Sequence, residues 1–181
     1  MSQDALSDNE SKAIAATKQR VCQLARFLAS NQPPDGDSAR EWLDYLARFK
    51  DGLGNLNNNI GFFATLLAKE YLVKTLGIPP FDATDKAQGA PGLDIDVRTT
   101  IGGRVIAEIK TTHPYKLDDL GSKQLEEFKK NAERLRRESA DHKFFFLTDR
   151  KTFDVMKKRR YRELFSGTRV ILLPSGDELV D

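Results

Sequence analysis

Apolar positions recur along this chain at two periods, and the change from one to the other locates its elements. Between about Ser11 and Ser30, Ile14, Val21, Leu24 and Leu28 follow the three-and-four spacing of an amphipathic helix. NQPPDGDS then interrupts the pattern with Pro33, Pro34 and Gly36. Trp42, Leu43, Leu46 and Phe49 share one side of a second, shorter helix. DGLGNLNNN, at 51–59, is rich in turn formers and reads as a loop. A strong helix is predicted from about Ile60 to Leu76, stopped by Gly77 and followed by Pro79 and Pro80. From 93 to 111 the period becomes two: LDIDVRTTIGGRVIAEIK gives a strand, a glycine turn and a second strand. A charged helix is predicted from about Ser122 to Ser139, with Leu125, Phe128, Ala132 and Leu135 as its apolar stripe. HKFFFLT (142–148) reads as a buried strand, 151–165 as helix, and RVILLP (169–174) as a last strand.

A hairpin followed by strand–helix units predicts an α/β fold, a mixed β-sheet with helices on both faces. The helices before it form an N-terminal helical extension over residues 1–50, and 51–181 form the core. With 39% hydrophobic and 31% charged residues, the 181-residue chain has enough apolar content to exclude wholesale disorder. No segment approaches the about 20 apolar residues that span a bilayer, so no membrane partner is expected. MSQDALSDNESK is polar and acidic and lacks the apolar core of a signal peptide. Cys22 is the one cysteine, which excludes an internal disulfide and a cysteine-based zinc site, and a cytoplasmic location is expected. The net charge of +2 hides an asymmetry: residues 104–169 carry 18 Lys and Arg against 11 Asp and Glu, and the remainder 11 against 16. A basic C-terminal half permits a polyanionic partner.

The hairpin holds the candidate chemistry. Asp94 and Asp96 share one face of its first arm; Ile106, Glu108 and Lys110 share one face of the second. With Ile101-Gly102-Gly103 as the loop, Thr100 would pair with Arg104, Asp96 would face Glu108, and Asp94 would face Lys110. Two adjacent acids repel unless a cation lies between them, and hard oxygen ligands with room for water suit Mg²⁺. A lysine beside such a cation can orient a water and offset developing negative charge, which is the equipment for phosphodiester hydrolysis. Alternative chemistries lack their residues: there is no G-x-x-x-x-G-K-[ST], no G-x-S-x-G, and neither His113 nor His142 has a partner at zinc spacing.

GLDIDV followed by IAEIK resembles the PD-(D/E)xK nuclease signature, in the form found in type II restriction endonucleases. The pattern is an acid at a strand start, ten to twenty residues, then acid–x–Lys on the adjacent strand. The proline before the first acid is absent here. The resemblance, motif plus element order over about Ile60 to Pro174, implies a restriction-endonuclease-like core and a Mg²⁺-dependent DNA endonuclease, with Mn²⁺ able to substitute. It makes either Asp94 or Asp96 the first acid, with glycine–x–Asp–Ile favouring Asp94 and leaving Asp96 as an additional metal ligand. Glu108 becomes the second acid and Lys110 the lysine. A glutamate on the first core helix often joins such sites, and Glu70 lies within about 60° of Phe63, Leu66, Leu67 and Val73 on the predicted helix. Gln124 matches a glutamine that some members carry on the following helix. Cutting both strands of double-stranded DNA implies a homodimer; a repair nickase or junction-resolving nuclease would use the same site. A non-catalytic nucleic-acid-binding module is the reading from another class. The densest basic run, Lys157, Lys158, Arg159 and Arg160, is the expected phosphate-binding patch, extended by Lys129, Lys130, Arg134, Arg136 and Arg137. Loops 51–59, 79–92 and 111–121 are the expected groove contacts.

Overall fold

The structure, a computed structural model, describes residues 6–87, 89–115 and 118–179. Gln88, Lys116 and Leu117, inside two of the expected groove-contact loops, and Met1–Ala5 of the acidic leader lie outside the described residues. The chain divides into two compact units, one ending at Asn59 and the other beginning at Ile60. The division lies nine residues beyond the expected boundary at 50/51.

The first unit is built from helices α1 (Asp8–Ser30) and α2 (Ala39–Leu53). Ser7 opens α1 with a reciprocal capping box: its hydroxyl accepts from Glu10 N, and Glu10 returns a carboxylate to Ser7 N. Ser38 caps α2 in the same way, without the return bond. The helices meet through Phe27, whose ring lies 5.6 Å from Tyr45 and 6.5 Å from Phe49. Most of the segment expected as a loop at 51–59 is helical. Gly54, at φ +61°, ends α2 as an L-residue could not without strain, and Asn55 at once caps α3 (Leu56–Leu76) by accepting from Asn58 N at 3.1 Å.

The second unit holds a five-stranded sheet in the order β1 (Ile95–Arg98), β2 (Arg104–Lys110), β3 (His142–Leu147), β4 (Arg169–Leu172) and β5 (Asp177–Glu178). Its outer pairs are antiparallel and its two inner pairs parallel, so the sheet is mixed and the class α/β. Strand β5, two residues long, carries too little pattern to be read from sequence. β3 shows why the centre is buried on both sides. Phe144 and Phe146 stack on one face with ring centroids 5.5 Å apart, against Tyr71 of α3, while Phe145 meets Phe128 of α4 (Ser122–Arg137) on the other. Helix α3 therefore covers the face bearing Val105, Ala107 and Ile171, and α4 covers the face bearing Ile106, Phe145 and Leu172.

The helix expected at 151–165 is broken into α5 (Arg150–Met156), α6 (Arg159–Arg162) and a 3₁₀ turn at Glu163–Phe165. Lys158 takes an extended conformation between the first two, which brings Tyr161 into the core at 2% exposure.

Candidate functional site

The site face is the α4 side of β1 and β2. Alternation places Asp94, Asp96, Ile106, Glu108 and Lys110 on that face, as the sequence requires, but the register differs from the expected one by two residues. Arg98 pairs with Arg104 and Asp96 with Ile106, so the same ladder, continued by one pair beyond Ile95–Ala107, sets Asp94 opposite Glu108 and Gly92 opposite Lys110. The cause is the turn. Thr99 is drawn into the loop: its N–H donates to the Gly103 carbonyl at 2.7 Å, and its hydroxyl accepts from Gly103 N at 2.9 Å. Five residues, 99–103, thus make the connection instead of three, with Gly102 at φ +92°. A two-residue shift preserves the faces and changes only the partners.

Each acid has a distinct setting. Asp94 lies just before β1, and its Oδ2 accepts from Ile109 N at 2.8 Å, filling the ladder position that backbone would otherwise occupy. Glu108 is buried to 2% exposure, with Ile106 before it on the same face. Burial, and then the charge of Asp94, push the Glu108 carboxyl up to about 7; Arg134 and Lys110 pull the other way. Arg134 of α4 donates to Glu108 Oε1 at 2.8 Å and to the Gly92 carbonyl at 2.9 Å, clamping the loop before Asp94 onto β2. Lys86 also donates to that loop, at the Leu93 carbonyl. Sequence reasoning placed Arg134 only on a general basic surface. Its exact opposition to Glu108 depends on how α4 crosses β2, which no local pattern encodes.

Asp96 is not aligned with the two acids. Its carboxylate is held by Arg104 at 2.7 and 3.0 Å, and those hydrogen bonds hold it below the usual carboxylate range. Its expected partner Glu108 is met by Asp94 instead. Glu70 is exposed, and α3 packs on the opposite face of the sheet. The buried charged residue of that helix is its neighbour Lys69, with Nζ 5.9 Å from the Phe81 ring centre. Gln124 is spent on the loop: Oε1 accepts from Tyr115 N and Gly121 N, and Nε2 donates to the His113 carbonyl at 2.6 Å. His113 Nδ1 lies 2.7 Å from Asp149 Oδ1.

The basic run is largely answered by acids of its own. Lys157 pairs with Asp154 at 2.6 Å, Arg159 with Glu163 at 2.8 Å, and Arg160 with Asp119, while Lys158 donates to the Asp118 carbonyl. Asp119 also accepts from the Tyr161 hydroxyl, and these bonds pull its carboxyl down to about 2. A second basic ridge lies nearer the acids. Lys130, Arg134 and Arg137 line an open groove of about 400 Å³ along α4, with Glu133 and Glu138.

Among the described residues no group of three or more Asp, Glu, His or Cys is placed to hold a metal ion. The pair Asp94 and Glu108 fits a hard cation that keeps most of its ligands as water and phosphate oxygen, as Mg²⁺ does. Two adjacent carboxylates, one driven toward protonation by the other, are the electrostatic setting that such an ion relieves. No family model, curated protein or solved structure matches the chain.

Proposed function

We propose that this chain is a Mg²⁺-dependent DNA endonuclease with a restriction-endonuclease-like core, hydrolysing phosphodiester bonds of double-stranded DNA. The observation that carries the reading is the placement of Asp94 opposite Glu108 on one sheet face with Lys110 beside them. Asp94 and Glu108 would hold the cation; Mn²⁺, with similar preferences, would substitute. When bound, it supplies Lewis-acid polarisation of the phosphate and a water of lowered pKa.

The protein's own residues do the rest. Ile109 N–H fixes the Asp94 carboxylate, so that its position follows the strand rather than a free side-chain rotamer. Lys110, two residues after Glu108, presents an ammonium group on the same face to orient the attacking water and to offset charge on the phosphorane-like transition state. Arg134 keeps the Gly92 loop against β2, and Glu108 without a cation has that guanidinium as its counter-charge. The α4 ridge supplies the backbone contacts that set register on DNA. Recognition of a specific sequence, as in type II restriction enzymes, would come from the loops around the site.

Homodimerisation would bring two such sites to the two strands. Val21, Leu43 and Leu46, at 61, 69 and 51% exposure on α1 and α2, leave apolar surface that a second copy would cover.

The test is incubation of supercoiled plasmid with the purified protein and Mg²⁺. Linear product with uniform ends supports a sequence-specific double-strand endonuclease. Nicked circles alone would reassign it to single-strand cutting, and intact plasmid at every metal tried would remove the reading.

A further inference from the structure

One buried donor in the second unit has no acceptor. Asn131 is 5% exposed, and its Nδ2 is the one buried side-chain nitrogen or oxygen among the described residues without a hydrogen-bond partner. Leaving such a donor unmade is costly, and native chains tolerate it mainly where a ligand or a water completes it.

Its position along α4 can be read from three contacts. Glu138 reaches Arg104 at the start of β2, at 2.9 Å. Arg134 reaches Glu108 in the middle of the strand, at 2.8 Å. Gln124 reaches the His113 carbonyl three residues past its end, at 2.6 Å. The helix thus runs antiparallel to β2 with one flank against it. Asn131 lies one turn before Arg134, about 4.5 Å along the axis and about 60° around it, toward the buried face carrying Phe128 and Leu135. That places it beyond Glu108 in the direction of Lys110.

We propose that Asn131 is a substrate-binding residue whose side-chain amide donates to a non-bridging oxygen of the phosphodiester. Together with the Lys110 ammonium and the Arg134 guanidinium, it makes an oxyanion seat beside the acid pair. The inference rests on the phosphodiesterase reading for its substrate and on the orphaned amide for its place. An amide suits the role because it donates without adding a third cation, and because its buried plane is fixed by packing before substrate arrives.

Two measurements test it. In ¹⁵N-labelled protein, the Asn131 side-chain amide pair is identified by its loss in Asn131→Asp. It is then followed as a 12-base-pair duplex is added with Ca²⁺ in place of Mg²⁺ to prevent turnover. One amide proton is expected to move downfield at saturation; an unmoved pair overturns the proposal. Asn131→Leu, close in shape and without the orphan donor, is expected to keep or raise the melting temperature and to leave Ca²⁺ affinity unchanged. It should weaken duplex binding about tenfold and slow single-turnover cleavage about a hundredfold. Wild-type affinity and cleavage in Asn131→Leu would also overturn the proposal. If the amide moves with duplex but the wild-type protein never cuts, the seat stands and the endonuclease reading falls. If the protein cuts while the amide is silent, the reverse holds.

Discussion

Glu108 is where burial and charge oppose each other most directly, and its consequences for stability have a definite sign. Its folded-state pKa, about 7, lies above the ordinary 4.5. Ionising an acid whose pKa is raised by folding opposes the fold, so this stabilising contribution is full below pH 4.5 and is lost as pH rises through 7. In EDTA, unfolding free energy should fall between pH 5 and 8 by on the order of 3 kcal/mol from this residue. Glu108→Gln should remove that fall, and Mg²⁺ should stabilise the wild type increasingly as pH rises. Denaturant titrations of both proteins check this; parallel pH profiles would mean that Glu108 is not the strained group. Arg134 gives a second expectation. It attracts Glu108 and repels any cation placed there, so Arg134→Gln should tighten Mn²⁺ binding by about three- to tenfold, the worth of a partly exposed charge of about 1 kcal/mol. The same variant should weaken DNA binding, and calorimetry beside fluorescence anisotropy separates the two effects. Asp94, Glu108 and Lys110 were legible from sequence because alternation alone assigns a face. Asp94's true partner was not, because Thr99 lengthens the turn through its own hydroxyl. Arg134 and Asn131 were illegible as site residues, since only the crossing of α4 over β2 brings them there.

At the scale of elements, local chemistry and tertiary demand divide the credit. Gly77, at φ +60°, ends α3 where the sequence predicts, with its N–H on the Val73 carbonyl. Strands β1 to β4 fall within a residue or two of the apolar runs that announce them. The loop expected at 51–59 failed because Asn55 is a helix cap rather than one of several turn formers. Glu70 failed because α3 is apolar on most sides, so that neither its buried face nor the sheet face it meets follows from periodicity. The α5–α6 break separates two basic surfaces that look continuous in sequence. Residues 157–160 are tied to Asp154, Glu163, Asp119 and the Asp118 carbonyl, whereas Lys130 on α4 has no ion pair among the described residues. Replacing Lys130 and Arg137 by Ala should therefore lower the slope of log affinity against log salt by about two, one per lost phosphate contact. Replacing Lys157 and Arg159 should change it less, because each loss also frees a paired acid. An equal fall in both double variants would return the phosphate contacts to the 157–160 run.

At the scale of the molecule, the question is how a single acid pair cuts two strands. One site faces one phosphate at a time, and the two strands of a duplex run antiparallel, so a two-fold pair of chains is the arrangement that presents equivalent sites to both. The exposed Val21, Leu43 and Leu46 of the first unit offer surface for that pairing. A mixing experiment reads the requirement without disturbing the surface. Lys110→Ala removes the ammonium group and leaves the pairing helices untouched. If chains pair at random, an equal mixture with wild type holds about a quarter wild-type pairs, about a half mixed pairs and about a quarter inactive ones. Mixed pairs have one working site and should nick. Linear plasmid should therefore drop to about a quarter of its wild-type rate while nicked circles accumulate. A chain acting alone would instead halve both products together. Sedimentation of the same mixture fixes whether the pair forms before or on DNA: a dimer without DNA places the association in the protein's own apolar surface, and a monomer that pairs only on duplex places it in the symmetry of the substrate.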